Sequence, residues 1–515
     1  MNQECKKCRQ KFILEKDDLS FYEKMKVPPP VNCPKCRFKW RALFRNEMML
    51  YNRICALCGK STIAMYNPES PYIVYCKDCW LSEKWDPYSY AQDYDPQKSF
   101  FEQIIFNSGP NNEECAYSRG LILCREAFDS YYANKAEKIY EIVNVNMSSG
   151  VVWAQNTDNC IDSAFLLNCS DCQNCFGCVN LRHKSYHFFN EPLSRDEYQK
   201  RISEILGSYK NIEEFRVQFE KFSIHFPRKE NSNLKNLNVS GDYIFESKNC
   251  HNSYEISFCE DSKFLFSNKR TKNCYDLIGH GRRSELLLEC VAVGTSSNVI
   301  GSWWSTGSHD IGYSFALRSS EYCFGCDSVR SGQYVILNKR YNKDEYESIR
   351  SKIISELKKK DLYGLYFPPE LAPFAYNETI AQDNFPLTKE EALAQDFRWE
   401  DNLQKTEGKE TIRPEDIPDH IKDVPDSITE KILRCIDCNR NYKIIAQELL
   451  FYRKIIIPIP RKCFYCRHRD RIIRRGPYKF WNRNCAKCQK EIATNYSPDR
   501  PEIVYCEKCY QQEVY

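Results

Sequence analysis

Eight cysteines near the start of the chain recur near its end, every one displaced by 430 residues. Cys5, Cys8, Cys33, Cys36, Cys55, Cys58, Cys76 and Cys79 reappear as Cys435, Cys438, Cys463, Cys466, Cys485, Cys488, Cys506 and Cys509. Each copy holds four CxxC pairs, which supply thiolates two plus two, the arrangement a tetrahedral structural zinc requires. Four zinc sites are expected, with these sixteen cysteines as the ligands.

The likeness between the ends extends beyond the cysteines. Phe21-Tyr22 matches Phe451-Tyr452, Pro28 and Pro30 match Pro458 and Pro460, Arg37 matches Arg467, and Ile73-Val74-Tyr75 matches Ile503-Val504-Tyr505. A zinc module of about 40 residues cannot bury a sufficient core alone, so the metal and a few adjacent aromatics must hold it. Sequential pairing puts the first four cysteines of each copy on one metal and the last four on the next; a crossed, brace-like pairing also fits the spacing.

The first half of each copy resembles the probable zinc-ribbon family of uncharacterised bacterial proteins, through Cys435-x-x-Cys438, Glu448, Phe451-Tyr452, Pro458, Pro460 and Cys463-x-x-Cys466-Arg467. The N-terminal copy departs at Ser20-Phe21-Tyr22, where the acidic residue reads as displaced. The second half, CxxC with seventeen residues and then CxxC, resembles a treble-clef finger of the GATA or DksA/TraR type. That resemblance implies a short helix opened by the last cysteine pair.

The chain has 515 residues, enough for about three or four domains, and 29 cysteines. It shows no apolar run long enough to span a bilayer, and Met-Asn-Gln-Glu-Cys-Lys-Lys-Cys is not a secretory segment. A cytoplasmic protein with reduced, metal-bound cysteines and no membrane partner is expected. The net charge of +4 hides an asymmetry: residues 1–85 carry +7, residues 431–515 carry +11, and the remainder carries −14. Basic ends around an acidic centre suggest a polyanion at the ends, nucleic acid or a ribonucleoprotein. Arg467, Arg469, Arg471, Arg474 and Arg475, followed by Phe480-Trp481, are the candidate nucleic-acid contacts, because arginines beside aromatics suit phosphate pairing and base stacking. The opposing reading is a basic face that offsets the thiolate charge or binds protein.

A second duplication lies between the ends. Cys175-Phe176-Gly177-Cys178, Tyr186, Asn190 and Asp196-Glu197-Tyr198 recur 148 residues later as Cys323-Phe324-Gly325-Cys326, Tyr334, Asn338 and Asp344-Glu345-Tyr346. Cys250, Cys274, Asn298 and Tyr322 fall about 24 residues apart, with weaker half-steps at Ser262, Ser284 and Ser308, and such a period points to a solenoid. Short β-branched and aromatic runs broken by Asn, Ser and Gly favour β-coils, each block closing with a helix, near residues 196–206 and 344–360. The expected fold class is therefore multidomain and mainly β: paired zinc-ribbon and treble-clef modules at both termini flanking a duplicated β-solenoid-like centre with capping helices. The domains read as zinc unit 1–85, connector 86–108, solenoid blocks 109–210 and 211–365, an acidic Pro-rich connector 366–430, and zinc unit 431–515.

Cys169, Cys172, Cys175 and Cys178 share the spacing of an iron–sulfur run but lack its longer last gap and following proline; a buried structural ladder is the favoured reading, a fifth zinc the other. The eight histidines form no metal-ligand spacing, and there is no GxSxG turn or phosphate loop. Asp261, Asp276, Glu285 and Asp310 are the acids that a carbohydrate-cleaving solenoid would use. The expectation is a non-catalytic zinc adaptor whose basic ends bind a partner, RNA or DNA by preference. The alternatives are a protein-interaction scaffold using the solenoid surface and, less favoured, a carbohydrate-active enzyme. The arrangement of the whole chain is similar to that of large uncharacterised bacterial zinc-ribbon proteins, which implies architecture and ligands but no activity.

Overall fold

From Lys138 to Phe189 the backbone is left-handed at every third residue, and the same rhythm runs from Glu246 to Gly279 and from Arg283 to Leu337. Such a conformation disfavours most L-residues and is tolerated best by Gly and Asn, which explains the Asn-rich composition: Asn144, Asn156, Asn159, Asn168, Asn174, Asn249, Asn273 and Asn298 all occupy these corners. Where an aromatic ring crosses the corner only glycine fits, as at Gly177, whose added Cβ would meet Phe215 at 2.7 Å. The structure, a computed structural model, describes residues 1–47, 49–104, 108–109, 131–134, 138–403 and 406–515.

The residue after most corners points inward, Lys184 and His280 being exposed exceptions. Val145, Val151, Cys160, Leu166, Cys169, Cys172, Cys175 and Cys178 form one apolar interior, and Cys250, Cys259, Cys274, Cys290, Val299, Ile311, Cys323 and Val335 belong to another. Strands pair in parallel with the residue 12 positions on: Ile161 with Gln173 and Gln173 with Ser185, or Glu285, Ser297, His309, Glu321 and Gln333 in succession. The step of about 24 in the sequence is two of these offsets. Serine strengthens the pairing, since the Oγ of Ser296 accepts from the Ser308 amide and that of Ser308 from the Ser320 amide.

Each parallel run ends alike, in a short antiparallel hairpin and then a helix. The helices, Arg195–Ile205 and Lys343–Lys359, lie where the sequence places them, and each opens with a capping box, at Ser194 with Glu197 and at Asn342 with Glu345. The second buries Tyr346, Ile353 and Leu357. Overall the protein is mixed, with sheets and about 27% helix. Among the described residues no helix is long and apolar enough to cross a membrane.

The chain forms two compact units, 1–114 with 233–403 and 115–232 with 404–515. The N-terminal cysteine modules therefore belong with the second parallel block, and the C-terminal modules with the first. The segments expected as extended connectors are packed instead. In the first of them, Phe100 lies on Tyr313 and Phe324. Tyr366, Phe367, Phe374 and Tyr376 are buried in the first unit, while Ile417, Ile421, Val424 and Ile428 are buried in the second. This packing leaves no sequence signature because these aromatics and β-branched residues carry no regular period. One further correction concerns the N-terminal module: its acidic residue is not displaced, because Asp18 caps the Lys16–Lys24 helix from the same position as Glu448 caps Ala446–Lys454.

Candidate metal centres and the arginines beside them

Four cysteine clusters are preformed, and their pairing is sequential: Cys5, Cys8, Cys33 and Cys36; Cys55, Cys58, Cys76 and Cys79; Cys435, Cys438, Cys463 and Cys466; Cys485, Cys488, Cys506 and Cys509. All four are built in the same way. The first pair lies in the turn of a two-stranded antiparallel hairpin, with the next residue, Arg9, Gly59, Asn439 or Gln489, in the left-handed conformation. The second pair opens a helix, with Cys33, Cys76, Cys463 and Cys506 as the N-caps. The sequence pointed to this helix only for the second half of each end; it occurs in both halves. A helix N-terminus and an amide aimed at sulfur both favour thiolate. The amides of Cys33, Cys76, Cys463 and Cys506 lie 3.2, 3.2, 3.2 and 3.3 Å from the sulfurs of Cys5, Cys55, Cys435 and Cys485.

The sulfur geometry suits a bound ion. Ligands at about 2.3 Å in a tetrahedron stand about 3.8 Å apart. Cys8 and Cys33 are separated by 3.7 Å, Cys58 and Cys76 by 3.9 Å, Cys438 and Cys463 by 3.6 Å, and Cys488 and Cys506 by 3.8 Å. Each cluster could therefore hold a metal ion, and four thiolates around it leave no open position for substrate or water. Cys169, Cys172, Cys175 and Cys178 are arranged differently. They follow successive corners, are buried, and donate to the carbonyls of Leu167, Ser170, Gln173 and Phe176 two residues before each.

The helices opened by the cysteine pairs also carry the basic run, and most of that run turns inward. In the first unit, Arg37 and Arg41 stand one turn apart and meet Asp276 and Glu289. Arg37 Nη2 is 2.8 Å from Asp276 and its Nε 3.2 Å from Glu289; Arg41 Nη2 is 3.0 Å from Asp276, and its Nη1 also pairs with Glu289. None of the four side chains is more than 2% exposed. Burial raises the Glu289 carboxyl to about 7, against the pull of Arg41. In the second unit the same helix places Arg467 Nε 3.7 Å and Arg474 Nη2 3.3 Å from the Glu141 carboxylate, which Arg471 also grips.

These contacts are copies of one another. Arg467 and Arg471 lie 430 residues after Arg37 and Arg41, and Glu289 lies 148 after Glu141. A second pair obeys the same offsets: Arg330 stacks on Trp80, 4.9 Å from its ring centre, while Arg182 lies at the place equivalent to Arg330 and Tyr510 at that of Trp80. Tyr510 reaches the first block by donating to Asn180. The two duplications thus meet in one docking surface, which neither offset disclosed on its own.

Of the five arginines singled out from the sequence, Arg467, Arg471 and Arg475 are buried, the last with its guanidinium 3.7 Å from the Tyr478 ring. Arg474 is 29% exposed and pairs with Glu141, and only Arg469, at 58%, is exposed, beside Asp437. Alternating charge along the sequence could not separate the inward face of this helix from the outward one, because the partner carboxylate lies 330 residues away. Of the acids considered for catalysis, Asp276 is enclosed by arginines, while Asp261, Glu285 and Asp310 accept from Asn249, Asn273 and Asn298 as one repeating ladder. No protein-family model matches this chain, and no curated protein is similar to it.

Proposed function

We propose that the protein is a non-catalytic adaptor in which four structural zinc ions fix paired zinc-ribbon and treble-clef modules onto two β-solenoid blocks of 12-residue coils. Zinc is favoured by four-thiolate clusters with the sulfur spacing of a closed tetrahedron. The solenoid reading rests on the 12-residue parallel register, which holds except for an offset of 11 where the second block begins, and on the left-handed corner at every third residue, which together give four three-residue sides per coil. The observation that carries the adaptor reading is the duplicated arginine–carboxylate contact. It commits the most basic helix of each end to holding its own unit together, so partner binding falls to the outward faces, and a protein partner fits this better than a polyanion.

Binding of RNA or DNA is the second reading, favoured by the outward Arg469 and by the excess positive charge of both ends. Titration of the full, zinc-loaded chain with RNA and with duplex DNA across a salt series decides between them, since phosphate contacts weaken steeply as salt rises. The adaptor reading with a protein partner expects no nucleic-acid binding even at low salt. Salt-dependent binding that Arg469→Ala reduces would overturn it in favour of the polyanion.

A further inference from the structure

The second unit holds an open cavity of about 330 Å³ between the Phe464–Arg475 helix, the Tyr209–Ser223 helix and the first parallel block. Its apolar walls include Tyr140, Trp153, Tyr209 and Ile459, and its cationic ones Arg461 and Lys462. Most of the lining charges are matched: Glu141 by Arg467 and Arg474, Glu213 by Arg216, and Lys462 by both Asp437 and Asp470, while Glu220 adds a further carboxylate at the wall. Arg461 is different. It is 5% exposed, donates through Nη2 to the carbonyls of Ile417 and Pro418, stacks 4.8 Å from the centre of Tyr209, and pairs with no carboxylate among the described residues. Its Nη1 is buried without a hydrogen-bond partner. Asp419 acts on this guanidinium only through the field, without a direct ion pair, and burial still penalises the charge, so an anion in contact with Nη1 would relieve that penalty.

The duplication supplies an internal comparison. By the 430-residue offset, the places of Arg461, Asp470 and Arg474 are taken in the first unit by Val31, Trp40 and Phe44. Phe44 is fully buried there, against Trp303, Tyr366 and Phe367. By the 148-residue offset Trp153 answers to Gly301, whereas the helix that Tyr209 opens has no counterpart, Leu357 lying inside the continuous Lys343–Lys359 helix. One copy of the design puts aromatic and aliphatic side chains at these places; the other lines an open cavity with ring faces and with charges of both signs, the cations in slight excess. Folding alone asks for the first arrangement, so the second reads as a ligand site.

We infer that this cavity binds a small phosphorylated aromatic molecule of the size of a nucleoside monophosphate, its phosphate drawn to Arg461 and Lys462 and its ring laid against Trp153 or Tyr209. The volume lies at the lower end of ordinary ligand pockets, and a guanidinium beside aromatic faces is the combination that recognises a planar anion.

Calorimetric titration of the full zinc-loaded chain with adenosine monophosphate, uridine monophosphate, adenosine and inorganic phosphate tests this. At least one monophosphate is expected to bind ten times or more tightly than adenosine or phosphate alone. Arg461→Met should weaken it at least tenfold. Because Arg461 also anchors two carbonyls, Ile473→Trp serves as a second variant: Ile473 is 64% exposed at the cavity rim, so a larger ring there blocks entry without disturbing a core. It should weaken binding at least tenfold with metal content and unfolding temperature unchanged. No binding of either monophosphate at millimolar concentration, equal binding of phosphate alone, or affinity unaffected by Ile473→Trp would each overturn the inference.

Discussion

At the scale of single residues, the acidic corners carry most of the consequence. Glu141 and Glu289 occupy left-handed positions, which no intrinsic preference of glutamate favours, and each is held by arginines from a distant module. Removing one partner of a buried pair leaves the other charge uncompensated, typically at about 3–5 kcal/mol. Glu289→Ala should therefore destabilise the first unit by about that amount and Glu141→Ala the second, whereas Glu285→Ala on the outward ladder should cost less than about 1 kcal/mol; denaturant unfolding of the three variants checks the contrast. The Glu289 carboxyl, raised from 4.5 to about 7, also has a pH signature. Between those values the folded unit keeps a proton that the unfolded chain releases, so this group's contribution to stability declines as pH rises through the window. Relative to the wild type, Glu289→Gln should flatten that decline, as read from unfolding midpoints between pH 4.5 and 7. The arginines were visible in the sequence, yet their direction was not. Helical spacing places Arg467, Arg471 and Arg474 on one side, but only a carboxylate supplied by a remote corner makes that side the inner one.

At the scale of elements, the cysteine hairpins and the two closing helices were legible because their signals are local. A CxxC turn, a helix-opening cysteine pair and a Ser or Asn cap followed by Glu all act within a few residues. The parallel blocks were half legible. Asparagine marks corners, and cysteine marks interior places, but the offset of 12 showed only as weak half-steps of a 24-residue period because Cys, Ser and Val interchange at the inward positions. Those substitutions are not equivalent where a serine is wired. Ser308 both donates its side chain to Thr306 and receives the Ser320 amide. Ser308→Ala should leave that amide unpaired in the interior and cost about 1–3 kcal/mol, with faster hydrogen exchange at residue 320 as the local readout. The Pro-rich segments were illegible for the opposite reason: aromatics such as Phe374 and Tyr376 pack singly, without a period that a sequence pattern could register.

At the scale of the molecule, both duplications were plain in the sequence, but their connection was not. Offsets of 430 and 148 say that modules are copied without saying which copy rests on which. The structure answers with a crossed assignment, and metal is expected to govern it. Elemental analysis of the purified chain should find four zinc ions. Chelation should release the cysteine hairpins and helices and, with them, the arginines that cover Asp276, Glu289 and Glu141, so loss of metal should lower the stability of both parallel blocks as well as of the modules; limited proteolysis before and after chelation would show it.

The crossed assignment also sets a timetable for synthesis. Arg37 meets Asp276 across 239 residues of chain, and Arg471 meets Glu141 across 330. At about 5–20 residues per second, the second interval corresponds to roughly 15–65 seconds on the ribosome. Until then Glu141 stands uncovered, while the N-terminal cysteine clusters, synthesised first, could already hold an ion. The first unit has all its residues by position 403; the second must wait for residues 404–515.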